Sequence, residues 1–381
     1  MDKVRILDIA STDQGAYRLL KSRVKKINCD KRFDNYIVCP RGEWSEKIEE
    51  YGVSCIEYDV KREISILELK KEIEKLEKIL QQYEPNIVHS HNSKTGALAR
   101  IAVKNINKKY KKNIMMIHQV HGFHFTGQKG IKKTMFLQVE KKLAKYTDIL
   151  LFQNMYEYNL CKKYGINKRC TIEYIGNGIN IDEFNSMQLN SKAKENFTIV
   201  CVARIEPIKN HIMLLKALNL LKEKYNIHDF KAILIGEGSN EELLNYINEN
   251  SLESHVIFTG ALDRKDVINE IYNSDLSVLT SIKEGKPRAL IESMLLGKPC
   301  IATNVIGTNE VVENNVTGYL VKLNDYEDLA FKVKELKEDI DKYNLFSLNC
   351  KKAVVKNFDE EIVIGKIKQI YLKNNILRCN K

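Results

Sequence analysis

DLSVLTSIKEGKPRALIESMLLGKPCIAT, residues 275–303, opens on an apolar run, passes through a polar loop into a helical pattern and closes on a second apolar run. Two short strands joined by a helix suit parallel pairing, because a parallel neighbour needs a crossover long enough to return the chain to its starting edge. Working outward, the same alternation recurs. FTIVCV (197–202), KAILIG (231–236) and HVIFTG (255–260) precede this stretch, with helical patterns between them. VRILDI (4–9), YIVC (36–39), NIVHSH (86–91), NIMMIHQV (113–120) and DILLF (148–152) form an earlier series of the same kind. Strands alternating with helices imply an α/β class with parallel sheets. The 381 residues exceed what one core supports, so the two series predict two doubly wound domains. We expect a first domain over residues 1–180 and a second over 181–358, with a closing helical segment, 359–381, free to pack back on the first. The join falls between Gly176 and Asn196, where Gly-Asn-Gly and NSMQLNSKAKEN interrupt the apolar periodicity, which makes it the hinge candidate.

In open parallel sheets ligands lie beyond the carboxyl ends of strands, so the loops there carry the chemistry. The loop after LSVL holds Glu284, and Glu292 follows eight positions later in the helical pattern; both carboxylates could point into one cleft and grip a polyol. Pro287 suits the helix entry, and the backbone N–H groups of Arg288 and Ala289 could receive a phosphate. The plainer alternative is a surface helix with two solvated acids. After TIVCV come Arg204 and Lys209, two cations that could neutralise a diphosphate leaving group. At the end of the IMMIHQV strand stands His121, followed by glycine and so placed to touch a substrate. His118, His121 and His124 invite a metal reading, but they span a strand and a loop, and no acidic or cysteine ligand lies close in sequence. His89 reads as core and His91 as rim. Gly15, read in the loop after the first strand, would let a phosphate approach the backbone.

Other motifs fail. Gly236 and Gly238 begin a G-x-G-x-x-G string whose third glycine is replaced by Glu241, and no P-loop sequence occurs. Asp339 and Asp341 lie in a charged helical stretch and read as solvated surface. No apolar run reaches the ~18 residues of a spanning helix, and the opening residues lack a signal peptide's apolar core, so a cytoplasmic location is expected. Nine scattered cysteines read as free thiols or small apolar side chains. The net charge of +11 lies entirely in the first half: residues 1–190 carry 34 Lys+Arg against 23 Asp+Glu. Residues 101–150 alone hold 11 basic against 2 acidic side chains. An anionic neighbour follows, and GIKKTMFLQVEKKLAKY (130–146) suits an amphipathic face on anionic lipid at the inner side of the cell membrane. A nucleic-acid-binding protein is the rival reading of this charge, but it leaves Glu284 and Glu292 unexplained and no aromatic stacking motif supports it, so no nucleic-acid partner is expected.

Taken together, Arg204-x4-Lys209, Glu284-x7-Glu292 and the trailing GKPCIATNVIGTNEVVENNVTGYLV resemble the donor lobe of the family-4 retaining glycosyltransferases with the GT-B fold. VHSHNSKTG and HQVHGFHFTG resemble the branch that builds capsular and other surface polysaccharides on polyprenyl-diphosphate lipids. The resemblance implies two Rossmann-like domains facing a central cleft, and transfer of a hexose or N-acetylhexosamine from a nucleotide diphosphate sugar, UDP-linked by family habit, to a lipid-linked saccharide. It implies that Arg204 and Lys209 hold the donor diphosphate, Glu284 the sugar hydroxyls and Glu292 the ribose hydroxyls. His121 would sit near the reacting carbon, and closure about the hinge would bring it to Arg204. Gly285, Lys286, Pro287, Arg288 and Ala289 would complete the cradle, Thr259, Gly260 and Leu262 would border the base, and Gly15 would approach the diphosphate. His91 and Lys94 fall on the acceptor side. No metal and no cofactor beyond the nucleotide sugar is expected. The first loop has one glycine where relatives often have two, Ala203 stands where many have glycine, and Asn180 where many have aspartate. A non-catalytic nucleotide-sugar-binding subunit, and a GT-B epimerase or phosphorylase acting without a lipid acceptor, are the remaining alternatives.

Overall fold

The computed structural model describes residues 3–60, 66–193 and 195–379. The chain divides into two units, one of Met1–Gly176 with Glu360–Lys381 and one of Asn177–Asp359. The division thus falls at Gly176, and the closing helix Glu360–Cys379 is part of the first unit; residues 380 and 381 of the closing segment lie outside the described residues.

The first unit contains β1 (Val4–Ile9), β2 (Phe33–Cys39), β3 (Cys55–Glu57), β4 (Ile87–His91), β5 (Met115–Val120), β6 (Ile149–Phe152) and β7 (Thr171–Tyr174). They form one parallel sheet in the order β3-β2-β1-β4-β5-β6-β7. Side chains alternate across a strand, so the register places Ile6 and Asp8 of β1 on the same face as Ile87, His89 and His91 of β4. That face is covered by the helices Lys21–Asn28 and Glu360–Cys379. Ile364, Ile367 and Tyr371, spaced three and four apart, pack against Ile6, Phe33 and Ile117 and are almost fully buried. Burying side chains of this size contributes roughly 1.5–3 kcal/mol each, which is why the chain's end returns to the first sheet.

The second unit contains β8 (Phe197–Val202), β9 (Phe230–Ile235), β10 (Val256–Gly260), β11 (Leu276–Leu279), β12 (Cys300–Thr303) and β13 (Gly318–Val321). Their order, β10-β9-β8-β11-β12-β13, is again wholly parallel. In each sheet the strand order reverses direction at one place, between β1 and β4 in the first and between β8 and β11 in the second. Crevices open beyond such switch points. Both units are therefore doubly wound α/β domains, as the alternation predicts, and each has its own apolar core on either side of its sheet.

Candidate active site

Lys209 and Glu284 stand beyond the two neighbouring strands of the second switch point, β8 and β11. Pro207–Lys209 forms a single 3-10 turn, and Asn210, in the left-handed region, redirects the chain into the helix His211–Glu223. Thr280 Oγ1 donates to the carbonyls of Lys209 and Asn210 at 3.1 and 2.9 Å, and Ile282 N donates to Ile208 O at 2.8 Å, so the two loops are tied together. The result is an ion pair, Lys209 Nζ to Glu284 Oε1 at 2.7 Å, with side chains only 19% and 12% exposed. Ser281 Oγ donates to the same carboxylate oxygen. Behind Glu284, Gly307 has φ +91°, and a Cβ there would lie 2.6 Å from Glu284 O and 2.7 Å from Gly285 O. Only glycine lets this turn brace the loop so closely.

Glu292 has a different set of partners. The helix Arg288–Leu295 has Pro287 at its N-cap position, so Glu292 lies about one turn in, and its carboxylate accepts from Arg264 Nη1 at 3.0 Å, with Arg288 Nη2 at 3.9 Å. Arg264 also reaches Glu183 Oε1 at 3.1 Å. Sequence reasoning missed Arg264; the available signal was Asp263-Arg264 at a helix start shortly after the HVIFTG run, where Asp263 caps the helix Arg264–Asn273. Thr259 and Gly260 end β10; the Gly260 carbonyl accepts from Gly236 N and Thr259 Oγ1, and Leu262, in the loop beyond, packs on the core. Arg204 is not drawn to the Lys209 and Glu284 pair. Its side chain is 66% exposed and meets Glu206 at 2.7 Å. Pro287 supplies no side-chain cap to the helix Arg288–Leu295, so the first N–H groups of Arg288 and Ala289 receive none. Beside them, Lys286 Nζ lies 5.0 Å over the Phe358 ring.

In the first unit His121 directly follows β5 and lines a pocket of about 210 Å³ with Asn92, Ser93, His118, Gly122 and Glu140. His91 Nδ1 lies 3.1 Å from His121 Nε2, and His91 Nε2 lies 2.8 Å from Asp8 Oδ1. Desolvation, then the Arg23 guanidinium, pushes His121 down to about 4, and desolvation followed by Arg23 and His121 holds His91 well below the usual imidazole range. The rings are neutral near pH 7. Asp8, His89 and His91 are grouped closely enough to hold a metal ion, yet Arg23 from the helix Lys21–Asn28 reaches both Asp8 Oδ1 and His91 Nε2. The guanidinium supplies the positive charge that a metal would bring, so the donor set does not fit one. His124 points elsewhere, edge-on to Phe136. Lys94 is engaged by Glu72 at 3.6 Å. Gly15 differs from the expectation: it lies in the helix Asp13–Leu19, and its N–H is taken by Thr12 Oγ1 at 3.1 Å as part of the helix cap. A capped helix start leaves that N–H nothing to offer a phosphate.

Known proteins share both halves of this architecture. Residues 29–183 match the model described as Glycosyltransferase Family 4, and residues 182–353 match Glycosyl transferases group 1. The UDP-Gal:alpha-D-GlcNAc-diphosphoundecaprenol alpha-1,3-galactosyltransferase of Escherichia coli is 30% identical over 323 residues, 82% of this chain and 81% of that protein. A glycosyltransferase from Rickettsia africae superposes with TM-score 0.82 at 21% identity, over 99% of each chain. HepE of Anabaena, solved with UDP and glucose, superposes with TM-score 0.77 at 19% identity over 97% of this chain and 100% of its own. The two parallel units are those of the GT-B fold, and the chain belongs to the glycosyltransferases of group 1 and family 4.

Proposed function

We propose that this enzyme moves a hexose or N-acetylhexosamine from a UDP-linked donor, with retention at the anomeric carbon, onto a saccharide carried by a polyprenyl diphosphate, in the assembly of a surface polysaccharide. The observation that carries this is the shielded Lys209 and Glu284 pair beyond β8 and β11. It places an ammonium, suited to a departing diphosphate, beside a carboxylate suited to sugar hydroxyls. Retention follows if the acceptor hydroxyl attacks on the face that the diphosphate leaves, with a phosphate oxygen taking its proton. His121 contacts the sugar near the reacting carbon. Arg204, free of the Lys209 pair and largely exposed, swings to the diphosphate, and Glu292, oriented by Arg264, receives the ribose hydroxyls. Lys94 falls on the acceptor side and must leave Glu72 to act there; His91, expected at the rim, is instead enclosed, with its two ring nitrogens against His121 and Asp8, so it cannot itself meet the acceptor. The acceptor class is that printed for the Escherichia coli relative. A panel of nucleotide sugars, offered with short polyprenyl-diphosphate acceptors in EDTA and read by NMR of the product linkage, tests the whole reading. Inverted product, or turnover abolished by EDTA, would overturn it.

The acceptor lipid implies a membrane surface, and among the described residues no helix is long and apolar enough to cross one. The helix Gly130–Leu143 offers Ile131, Met135 and Val139 at four-residue spacing, 89%, 52% and 45% exposed, with Lys132 and Lys142 also exposed beside them. An apolar stripe edged by lysines suits anionic lipid on the cytoplasmic face. Neutralising Lys132, Lys133, Lys141 and Lys142 should release the enzyme from phosphatidylglycerol vesicles; binding that persists unchanged counts against this surface, and retention by RNA instead of vesicles would replace it with the nucleic-acid reading.

A further inference from the structure

The polar cluster behind His121 is far larger than a substrate contact needs. Asp8, His89 and His91 are at most 1% exposed, and Asn35 and Gln119 from the neighbouring strands join them. Arg23 Nη1 donates to Gln119 Oε1 at 2.9 Å, Arg23 Nη2 donates to Asp8 Oδ1, and Asn35 Nδ2 donates to Asp8 Oδ2 at 2.8 Å. His89 Nδ1 meets the Tyr371 hydroxyl at 2.7 Å. One anion and one cation thus balance each other, and desolvation, the largest influence on His89, His91 and His121 alike, keeps all three imidazoles neutral.

A neutral imidazole carries one N–H, so the contacts of His91 decide where its proton sits. Its Nε2 lies 2.8 Å from a carboxylate oxygen, where a lone pair would be repelled and an N–H is held. Arg23 Nη2, 3.1 Å from the same nitrogen, gives one of its two N–H groups to the same Asp8 oxygen, so the guanidinium and an Nε2–H of His91 share that carboxylate as acceptor. The proton is therefore on Nε2 of His91, and Nδ1 is bare. That bare nitrogen faces His121 Nε2 at 3.1 Å, so His121 must supply the hydrogen between them. We propose that Asp8 and His91 are positioning residues that hold His121 as its Nε2–H tautomer, leaving Nδ1 as a lone-pair acceptor for a sugar hydroxyl. Gln153 also hydrogen-bonds this ring, and its side-chain amide can present either its N–H or its oxygen there. A hydroxyl held as donor to Nδ1 gains electron density at its oxygen, the polarisation useful beside a carbon that becomes electron-poor.

This inference rests on the assignment of His121 to the substrate, and the test separates the two. Long-range 1H–15N correlation on the full-length 15N-labelled enzyme should show His121 protonated on Nε2 at pH 7.5. His91→Asn sets an amide oxygen where Nδ1 was, and should keep that tautomer and keep turnover within about threefold. His91→Leu removes the acceptor; His121 should become a mixture of tautomers, with kcat falling about tenfold or more at an almost unchanged KM for the donor. A His121 protonated on Nδ1 in the unmodified enzyme overturns the proposal, whether or not His91→Leu folds. So does a folded His91→Leu enzyme with undiminished kcat. Undiminished turnover in His121→Ala, with the Nε2–H tautomer intact in the parent, removes instead the assignment of His121 to the substrate.

Discussion

Replacing Glu284 by glutamine should weaken sugar transfer while tightening the grip on UDP. In the free protein Lys209 is already partnered, 2.7 Å from Glu284 with both side chains under one-fifth exposed. At that separation and an effective dielectric constant of about 20, the gross attraction is ~6 kcal/mol, most of it offset by the cost of desolvating both charges. An incoming diphosphate must share the ammonium with the carboxylate that holds it. Exchanging the carboxylate for a neutral amide of the same shape removes that competition, and a gain of about 1 kcal/mol corresponds to UDP binding roughly fivefold tighter. Lys209→Met loses a charge-assisted contact of about 1.5–3 kcal/mol and should weaken UDP at least ~10-fold. Turnover should fall by ~10²-fold or more in both, because each removes a contact made to the transition state. Titration calorimetry with UDP at 0.15 M salt, alongside steady-state rates, reads the two effects separately. If Glu284→Gln weakens UDP as much as Lys209→Met does, the pair braces the loop and does not divide its work between phosphate and sugar.

Gly307→Ala should lower turnover by about tenfold with little loss of fold, since the added Cβ collides with the Glu284 and Gly285 carbonyls at a positive φ; rates set beside the melting temperature check this. Tyr371→Ala should destabilise the first unit by about 3–5 kcal/mol, because a fully buried ring and its hydroxyl contact to His89 are both lost, as urea unfolding would show. Acid should destabilise the second unit in a defined window. Burial, then the neighbouring Lys209, pushes His211 down to about 4 in the folded state. The unfolded chain then binds the extra proton between pH 6.5 and about 4, so stability present above that window is lost as pH falls through it, by up to about 3 kcal/mol. His211→Leu should flatten the fall of the urea midpoint between pH 7 and 5, and an equally steep fall in that variant refutes the cause.

What the sequence made legible follows from how each element is buried. The ten apolar runs are strands, within a few residues at their ends; nine of them are inner strands, covered on both faces and so read as continuous runs, and the tenth, HVIFTG, is the edge strand β10. Cys55–Glu57, Thr171–Tyr174 and Gly318–Val321 were not read as strands, and all three are sheet edges. Thr171–Tyr174 has no buried residue at all, so its composition carries little apolar signal. Lys209 and Glu284 were readable as strand-end charges that the parallel topology would bring together. Arg264 was not, because an arginine in a helix's first turn looks solvated until a buried acid from another helix, Glu292, is found against it. The Asp8, Arg23 and His91 cluster was hidden for a related reason. Asp8 and His89 sit inside runs that read simply as strand, and only the register of β1 against β4 shows that they share a face. Asp339, read as solvated surface, is indeed exposed, and its side chain also caps the helix Ile340–Asn357.

The return of the last helix to the first sheet constrains biosynthesis. As the chain leaves the ribosome, the second unit can complete all its strands and helices by residue 359, whereas the first still lacks the cover over Ile6, Phe33 and Ile117. The N-terminal half is made first yet finishes last, and until Tyr371 has emerged it exposes an apolar sheet face of the kind that chaperones retain. A premature stop shortly after residue 359 would therefore leave a sound second unit attached to an aggregation-prone first one.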